Sequence, residues 1–270
     1  MFHFAKKINR SKCYKIRNNY ISLQYISDIH LEYRNTIPII PQNSDNLALL
    51  GDIGNPFKKN YTEFIDYTSN NWNKVFLITG NHEYWQEKYN MDDVNDKIND
   101  IVSKFSNVIF LNNESHYFNN YKILGTTLWS NVYSKPETQI GDDLYIKYKH
   151  RTITHDDINK LHSASVKWLE KNIAHSNHSA DIPIIILSHH LPSYKLIIEK
   201  FHYGKYAKYH DRFASHLDHL IKYPVKFWLC GHSHCNFNLT INDTYCGINA
   251  YGYPYESIKK FAESIVISLD

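Results

Sequence analysis

The stretch Phe227–His234, reading Phe-Trp-Leu-Cys-Gly-His-Ser-His, constrains this chain more than any other. It has the pattern of a buried strand that runs into a glycine and then presents two histidines. Residues i and i+2 of an extended segment point to the same side, so His232 and His234 aim at one spot just past the strand end. Neutral imidazole is the commonest metal ligand near physiological pH. A metal needs further ligands, some of them anionic. The fold must therefore bring other ligand-bearing segments to this place.

Four other apolar strands end in the same way. Ile21–Ser27 alternates and stops at Asp28-Ile29-His30, again two metal-capable side chains at i and i+2. Asn46–Leu50 ends in Gly51-Asp52, and Lys74–Thr79 runs into Gly80-Asn81-His82-Glu83. Ile182–Ser188 is broken by His189-His190-Leu191-Pro192. In α/β folds ligands bind at the carboxyl ends of strands. Independent core histidines have no reason to choose that position repeatedly.

Helical patterns lie between these strands. Phe64, Ile65, Thr68 and Trp72 have helical spacing within Thr62–Trp72, with Thr62 as the expected N-cap. Met91, Val94, Ile98, Ile101, Val102 and Phe105 follow a 3.6-residue period. Thr154-His155-Asp156-Asp157 has the form of a helix start, with an acidic residue three on from the cap. Phe213, Leu217, Leu220 and Ile221 predict a short helix. Asn107–Leu111 and Tyr121–Gly125 read as strands joined by a turn-rich link, Asn112–Asn120. Phe237–Ile241 and Thr244–Gly247 read as a hairpin around Asn242-Asp243, and Ser264–Leu269 as a final strand. Trp129–His150 lacks periodicity and reads as a surface excursion able to cover a cleft. Strands that alternate with helices predict an α/β layered fold, and near-continuous apolar strands predict sheets covered on both faces.

At 270 residues the chain is near the upper size of one hydrophobic core. The net charge of +3 is too small to imply a polyanion partner. Met1–Tyr20 is a basic extension with no acidic residue and no signal-peptide apolar segment, and 21–270 is expected to form the domain. Cys13, Cys230, Cys235 and Cys246 do not have the spacing of a disulfide scaffold. Free thiols, and no apolar run of the roughly 20 residues that span a bilayer, lead to an expectation of a cytoplasmic protein without a membrane partner. Cys230 and Cys235 flank the two histidines, so a zinc knuckle is an alternative use of that stretch.

The ordered set Asp28-Ile29-His30, Gly51-Asp52, Gly80-Asn81-His82-Glu83, His189 and Gly231-His232-Ser233-His234 resembles the calcineurin-like metallophosphoesterase superfamily. The similarity extends from Ile21 to about Glu256. It implies a four-layer α/β/β/α sandwich of two mixed β-sheets flanked by helices. It implies two divalent metal ions, manganese first, with iron or zinc as alternatives. Asp28, His30 and His234 would hold one metal, Asn81, His189 and His232 the other, and Asp52 would bridge them. A metal-bridging hydroxide would attack phosphorus, and His82 would be the general acid. The resemblance favours His189 over its neighbour His190 as ligand; Glu83 reads as a capping or hydrogen-bonding residue, with a supporting role behind the ligands as the alternative.

The Asp-Arg-Gly that follows the second strand in protein phosphatases of this superfamily is replaced by Ile53-Gly54-Asn55-Pro56. The expected substrate is therefore a small phosphodiester or phosphomonoester. A nuclease is the alternative, using the basic arm and the Tyr-rich link Tyr194–Tyr209 to grip nucleic acid. A non-catalytic binding scaffold is a third reading. Arg34 is either solvated or within reach of phosphate, and His162 reads as a packing histidine.

Overall fold

The computed structural model describes residues 21–133, 140–176, 182–198, 203–256 and 265–269. The basic segment 1–20 with Cys13 lies outside them, as do parts of the Trp129–His150 excursion and of the Tyr-rich link. The first half of the chain alternates strand and helix: β1 (Ile21–Ile26), β2 (Asn46–Leu50), α1 (Lys59–Asn71), β3 (Lys74–Ile78), α2 (Met91–Val102) and β4 (Val108–Phe110). A hairpin of β5 (Glu114–Phe118) and β6 (Tyr121–Thr126) follows, then α3 (Gly141–Tyr145), the short strands β7 (Lys147–Tyr148) and β8 (Arg151–Thr152), and α4 (His155–Ser176). The remainder comprises β9 (Ile184–Ser188), α5 (His210–Phe213), β10 (Val225–Cys230), β11 (Asn236–Ile241), β12 (Thr244–Asn249) and β13 (Val266–Leu269).

Two mixed sheets result, in the orders β13-β1-β2-β3-β4 and β11-β12-β10-β9-β6-β5. Strands β1 to β4 run parallel, as do β6, β9, β10 and β12, while β13, β5 and β11 are antiparallel edges. Strand alternation sorts each apolar run into two cores. Leu47 and Leu49 face α1 and α2, with Phe64, Ile65 and Ile98, whereas Ala48 and Leu50 meet Ile185 and Leu187 between the sheets. Ile184 and Ile186 turn the other way, toward Leu169 of α4 and the outer layer. This is the four-layer α/β/β/α arrangement, with every central strand covered on both faces. Truncating one such Leu or Ile to Ala costs about 2–5 kcal/mol. No helix among the described residues is long and apolar enough to cross a membrane.

Three expectations need correction. Helix α1 starts at Lys59, not after a Thr62 cap, and Lys58 at its N-cap makes no side-chain bond. Burial of Tyr61 with Phe64, Ile65 and Thr68 draws in the extra turn. The Asn112–Asn120 link contains β5, an edge strand whose inward contacts are His116 and Phe118 against Phe76. Exposed Glu114, Ser115 and Tyr117 dilute its alternation. The helix expected over 213–221 ends at Phe213. Ala214 pairs with Leu191 in an isolated bridge that demands extended backbone there. Leu217, Leu220 and Ile221 reach the core from non-helical backbone instead.

Local signals held elsewhere. Thr154 and Asp157 exchange the bonds of a capping box at the start of α4. Asn242 and Asp243 both take positive φ at the β11–β12 turn, as a two-residue hairpin with the strands' twist requires.

Candidate metal centre

The carboxyl ends of β1, β2 and β3 in one sheet and of β9 and β10 in the other open on the same rim. The sheets are tied there by Ser27 pairing with Ala250 and by His189 Nδ1, 2.8 Å from the Leu50 carbonyl. The residues after these strands must turn at once to face the rim. Asp28, His30, Asp52, His232 and His234 do so with φ of 56°, 52°, 53°, 68° and 44°. Left-handed backbone at a non-glycine residue costs on the order of 1–3 kcal/mol and clusters at functional sites. Gly80 is needed for space, since a Cβ there would lie 2.2 Å from Asp52 Oδ1. Gly231 likewise leaves room for Asp28, whose Oδ2 would be 2.9 Å from a Cβ.

Asp28, His30 and His234 form one group whose ligand atoms lie within 4.8 Å of one another, and Asp52, His189 and His232 form another. Asp52 Oδ2 is 3.7 Å from His30 Nε2 and 3.4 Å from His189 Nε2, so it stands between the groups. Asn81 Oδ1 is 3.2 Å from His189 Nε2. All eight residues singled out from the sequence thus gather at this rim. His190 does not join a group; its Nδ1 faces the Thr127 carbonyl at 3.2 Å. No cysteine joins one among the described residues, and Cys235 Sγ is 3.0 Å from Ser233 Oγ, so nothing supports a zinc knuckle.

The outer nitrogens fix the inner ones. His30 Nδ1 donates to Glu32 (2.8 Å), His234 Nδ1 to Glu256 (2.6 Å) and His189 Nδ1 to Leu50 O. Each ring therefore turns its Nε2 inward. His30 Nε2 and His234 Nε2 face each other at 3.0 Å. Two lone pairs at that distance repel unless a cation or proton lies between them. With the carboxylates, the amide and His232, this donor set fits a pair of divalent cations. His232 Nε2 is 3.2 Å from the Arg212 carbonyl, which leaves Nδ1 as its free donor atom.

Asp52 couples the charges of the two groups. Burial opposes charge on Asp52, yet facing imidazoles, His189 foremost, hold its carboxyl well below the usual range. Burial likewise opposes charge on His189, but Asp52 pushes its pKa up to about 10. Burial and the neighbouring imidazoles hold His232 well below the usual histidine value. Burial, then the Asp52 charge, pushes Glu83 up to about 7. Glu83 is a backbone clamp, accepting from Gly80 N (2.8 Å), Asp52 N (3.1 Å) and Ile53 N (2.7 Å).

His82 adjoins the first group, forming with His30 and Glu32 a third set whose ligand atoms lie within 4.8 Å of one another. Its backbone N–H donates to Asp52 Oδ1 at 2.8 Å, its Nδ1 is 3.1 Å from Glu32 Oε1, and its Nε2 is 3.2 Å from Tyr253 OH. Trp85 stacks on its ring at 3.7 Å. Burial works against charge on this ring, but Asp52 and Glu32 outweigh it and raise its pKa. Glu32 is lowered against its own burial by bonds from His30 and His82.

Sequence reasoning missed several supporting groups. Glu32 lies two residues beyond His30, in the 3-10 turn Leu31–Tyr33 that brings it back to the ring. Asp142 of α3 accepts from Asn81 Nδ2 (2.8 Å) and Trp85 Nε1 (2.7 Å), which points Asn81 Oδ1 inward. Glu256 and Tyr253 come from the loop after β12. None of these three had a local signal. Arg34 is half-buried and held away from the ligands, donating to Ile29 O and Gly252 O and covering the Tyr251 ring.

Comparison with known proteins places these residues in context. A family described as calcineurin-like phosphoesterase matches residues 25–236. An uncharacterized protein of Acanthamoeba polyphaga mimivirus, L509, is 31% identical over 265 residues, covering 87% of this chain and 92% of that protein. The phosphopantetheinyl hydrolase PptH of Mycobacterium tuberculosis has a similar fold, with a TM-score of 0.71 at 15% identity over 93% of this chain and 96% of that one. The protein TT1561 of Thermus thermophilus aligns with a TM-score of 0.54 at 13% identity over 86% of this chain and 89% of that one.

Proposed function

The chain belongs to the calcineurin-like phosphoesterase family, and from that premise we propose that this hydrolase cleaves a small phosphodiester or phosphomonoester with two divalent cations. Asp28, His30 and His234 would hold one cation, Asn81, His189 and His232 the other, and Asp52 would stand between them. Such a pair supplies Lewis acidity to phosphoryl oxygens and lowers the pKa of a bound water toward neutrality. Manganese is the first choice of metal, with iron or zinc as alternatives, since mixed O and N donors suit all three.

The chain's own residues then orient and protonate. Glu32, Glu256 and the Leu50 carbonyl fix three imidazoles, and Asp142 fixes the Asn81 amide. His82, with its raised pKa, holds a proton that it gives to the leaving oxygen. Tyr253 and Trp85 keep its ring in place. The observation that carries this reading is the pair of inward-turned Nε2 atoms of His30 and His234 at 3.0 Å beside two carboxylates.

The test is a Mn²⁺-supplemented panel of aryl monoester, aryl diester, cyclic nucleotide and single-stranded nucleic acid. Turnover of at least one aryl ester is expected, and its absence with every metal would refute the reading. His82→Ala should retain metal and lose more turnover with poor leaving groups than with good ones. Equal losses would remove the general-acid role.

A further inference from the structure

The cleft that opens from the ligand groups is lined by two kinds of residue: Asp52, Asn81 and the imidazoles, and beside them Ile140, Gly141, Ile197 and Phe213. Aromatic rings collar the imidazoles. Trp85 lies on His82, Phe213 is 5.0 Å from His232, and Tyr253 is 4.2 Å from His30 and 4.5 Å from His234. Gly141 belongs to this wall because Trp85 fills the space of a side chain there, at 2.1 Å from an added Cβ. The cavity encloses about 470 Å³, inside the roughly 300–1,000 Å³ of small-molecule sites. A phosphoryl group alone would leave most of it unfilled.

Positive charge is sparse. Among the described residues lining the cleft there is no lysine, and the single arginine, Arg212, pairs with Asp143 at 3.0 Å. Arg212 is 5% exposed, and its buried Nε has no acceptor. Both of its terminal nitrogens are engaged by Asp143 and His155, which leaves little of its charge for a substrate. A nucleic acid strand needs several cations along its backbone.

We propose that the substrate is a phosphoester with a single anionic phosphoryl group and an uncharged apolar or aromatic arm, and that the arm lies along Ile140, Ile197 and Phe213. This rests on the phosphoesterase reading above. Burying such an arm favours it over a short one roughly ten-fold or more, since even one methylene in an apolar pocket is worth about 10–200-fold.

The test uses p-nitrophenyl phosphodiesters whose second ester group is methyl, hexyl, phenyl or an alkyl chain ending in carboxylate. They compete pairwise for the full-length protein with Mn²⁺. Hexyl and phenyl should exceed methyl in kcat/KM by about ten-fold or more, and the carboxylate chain should gain nothing. Ile140→Lys and Ile197→Ala should each shrink the hexyl-to-methyl ratio. A ratio measured in one mixture is independent of how much of a variant folds. A wild-type ratio near one, an equal gain for the carboxylate chain, a ratio unchanged in both variants, or a preference for single-stranded oligonucleotide would overturn the proposal. If no ester is cleaved, the phosphoesterase reading falls and this proposal with it.

Discussion

The two ligand groups differ in what stands behind them. In the first, His30 and His234 are each backed by a carboxylate, Glu32 and Glu256, and the third ligand, Asp28, is itself a carboxylate. In the second, His189 and His232 are backed by the carbonyls of Leu50 and Arg212, and Asn81 is neutral. Asp142, a carboxylate behind the second group, bonds the Asn81 amide rather than an imidazole. Carboxylates behind imidazoles raise their basicity and fix their orientation. One rim thus combines a strongly anionic pocket with a weaker one, sharing Asp52. Two cations in this protein should therefore be held unequally.

The most drastic way to break the comparison is to remove what the groups share. Asp52→Asn should reduce both metal content and ester turnover by more than about a hundred-fold, beyond the 10–100-fold usual for a supporting partner. Metal analysis after dialysis and a turnover assay would check it. Chelator titration should then strip the cations in two steps, with histidines of the second group the first to change in an NMR titration. Simultaneous release would show the groups to be equivalent. Asp142→Ala should weaken only the second cation, by about 10–100-fold, while Glu256→Ala should weaken only the first. Competition with a metal indicator would separate them.

The smallest effect concerns a histidine outside the rim. His162 Nδ1 lies 3.2 Å from Leu128 O and 3.1 Å from Trp129 O, and burial holds its pKa below the ordinary value. A histidine depressed in the folded state stabilises it fully above the unfolded value of about 6.5 and loses that contribution as pH falls. Melting temperatures should decline below that pH, and His162→Gln should flatten the decline slightly.

Much of the rim was legible because its ligands sit directly after apolar runs, a relation local in the chain. Asp28, Asp52 and His232 could be found without knowing which strands are neighbours. Asp142 and Glu256 could not, because only the folded chain brings α3 and the loop after β12 to Asn81 and His234. The layers were legible in kind but not in detail. In Asn46–Leu50 every apolar side chain is buried, so the sequence does not say that Ala48 faces the second sheet and Leu49 the helices. At the margins tertiary pairing overrode local pattern, as when the Leu191–Ala214 bridge ended the helix at Phe213.

The five left-handed turns at Asp28, His30, Asp52, His232 and His234 have a wider consequence. Each opposes the backbone's own preference by about 1–3 kcal/mol, a sizeable share of the roughly 5–15 kcal/mol by which domains stay folded. Glycine at any of them would relax the chain and delete a donor. Laboratory selection of this protein for heat resistance alone would therefore drift toward sturdier molecules with an empty rim.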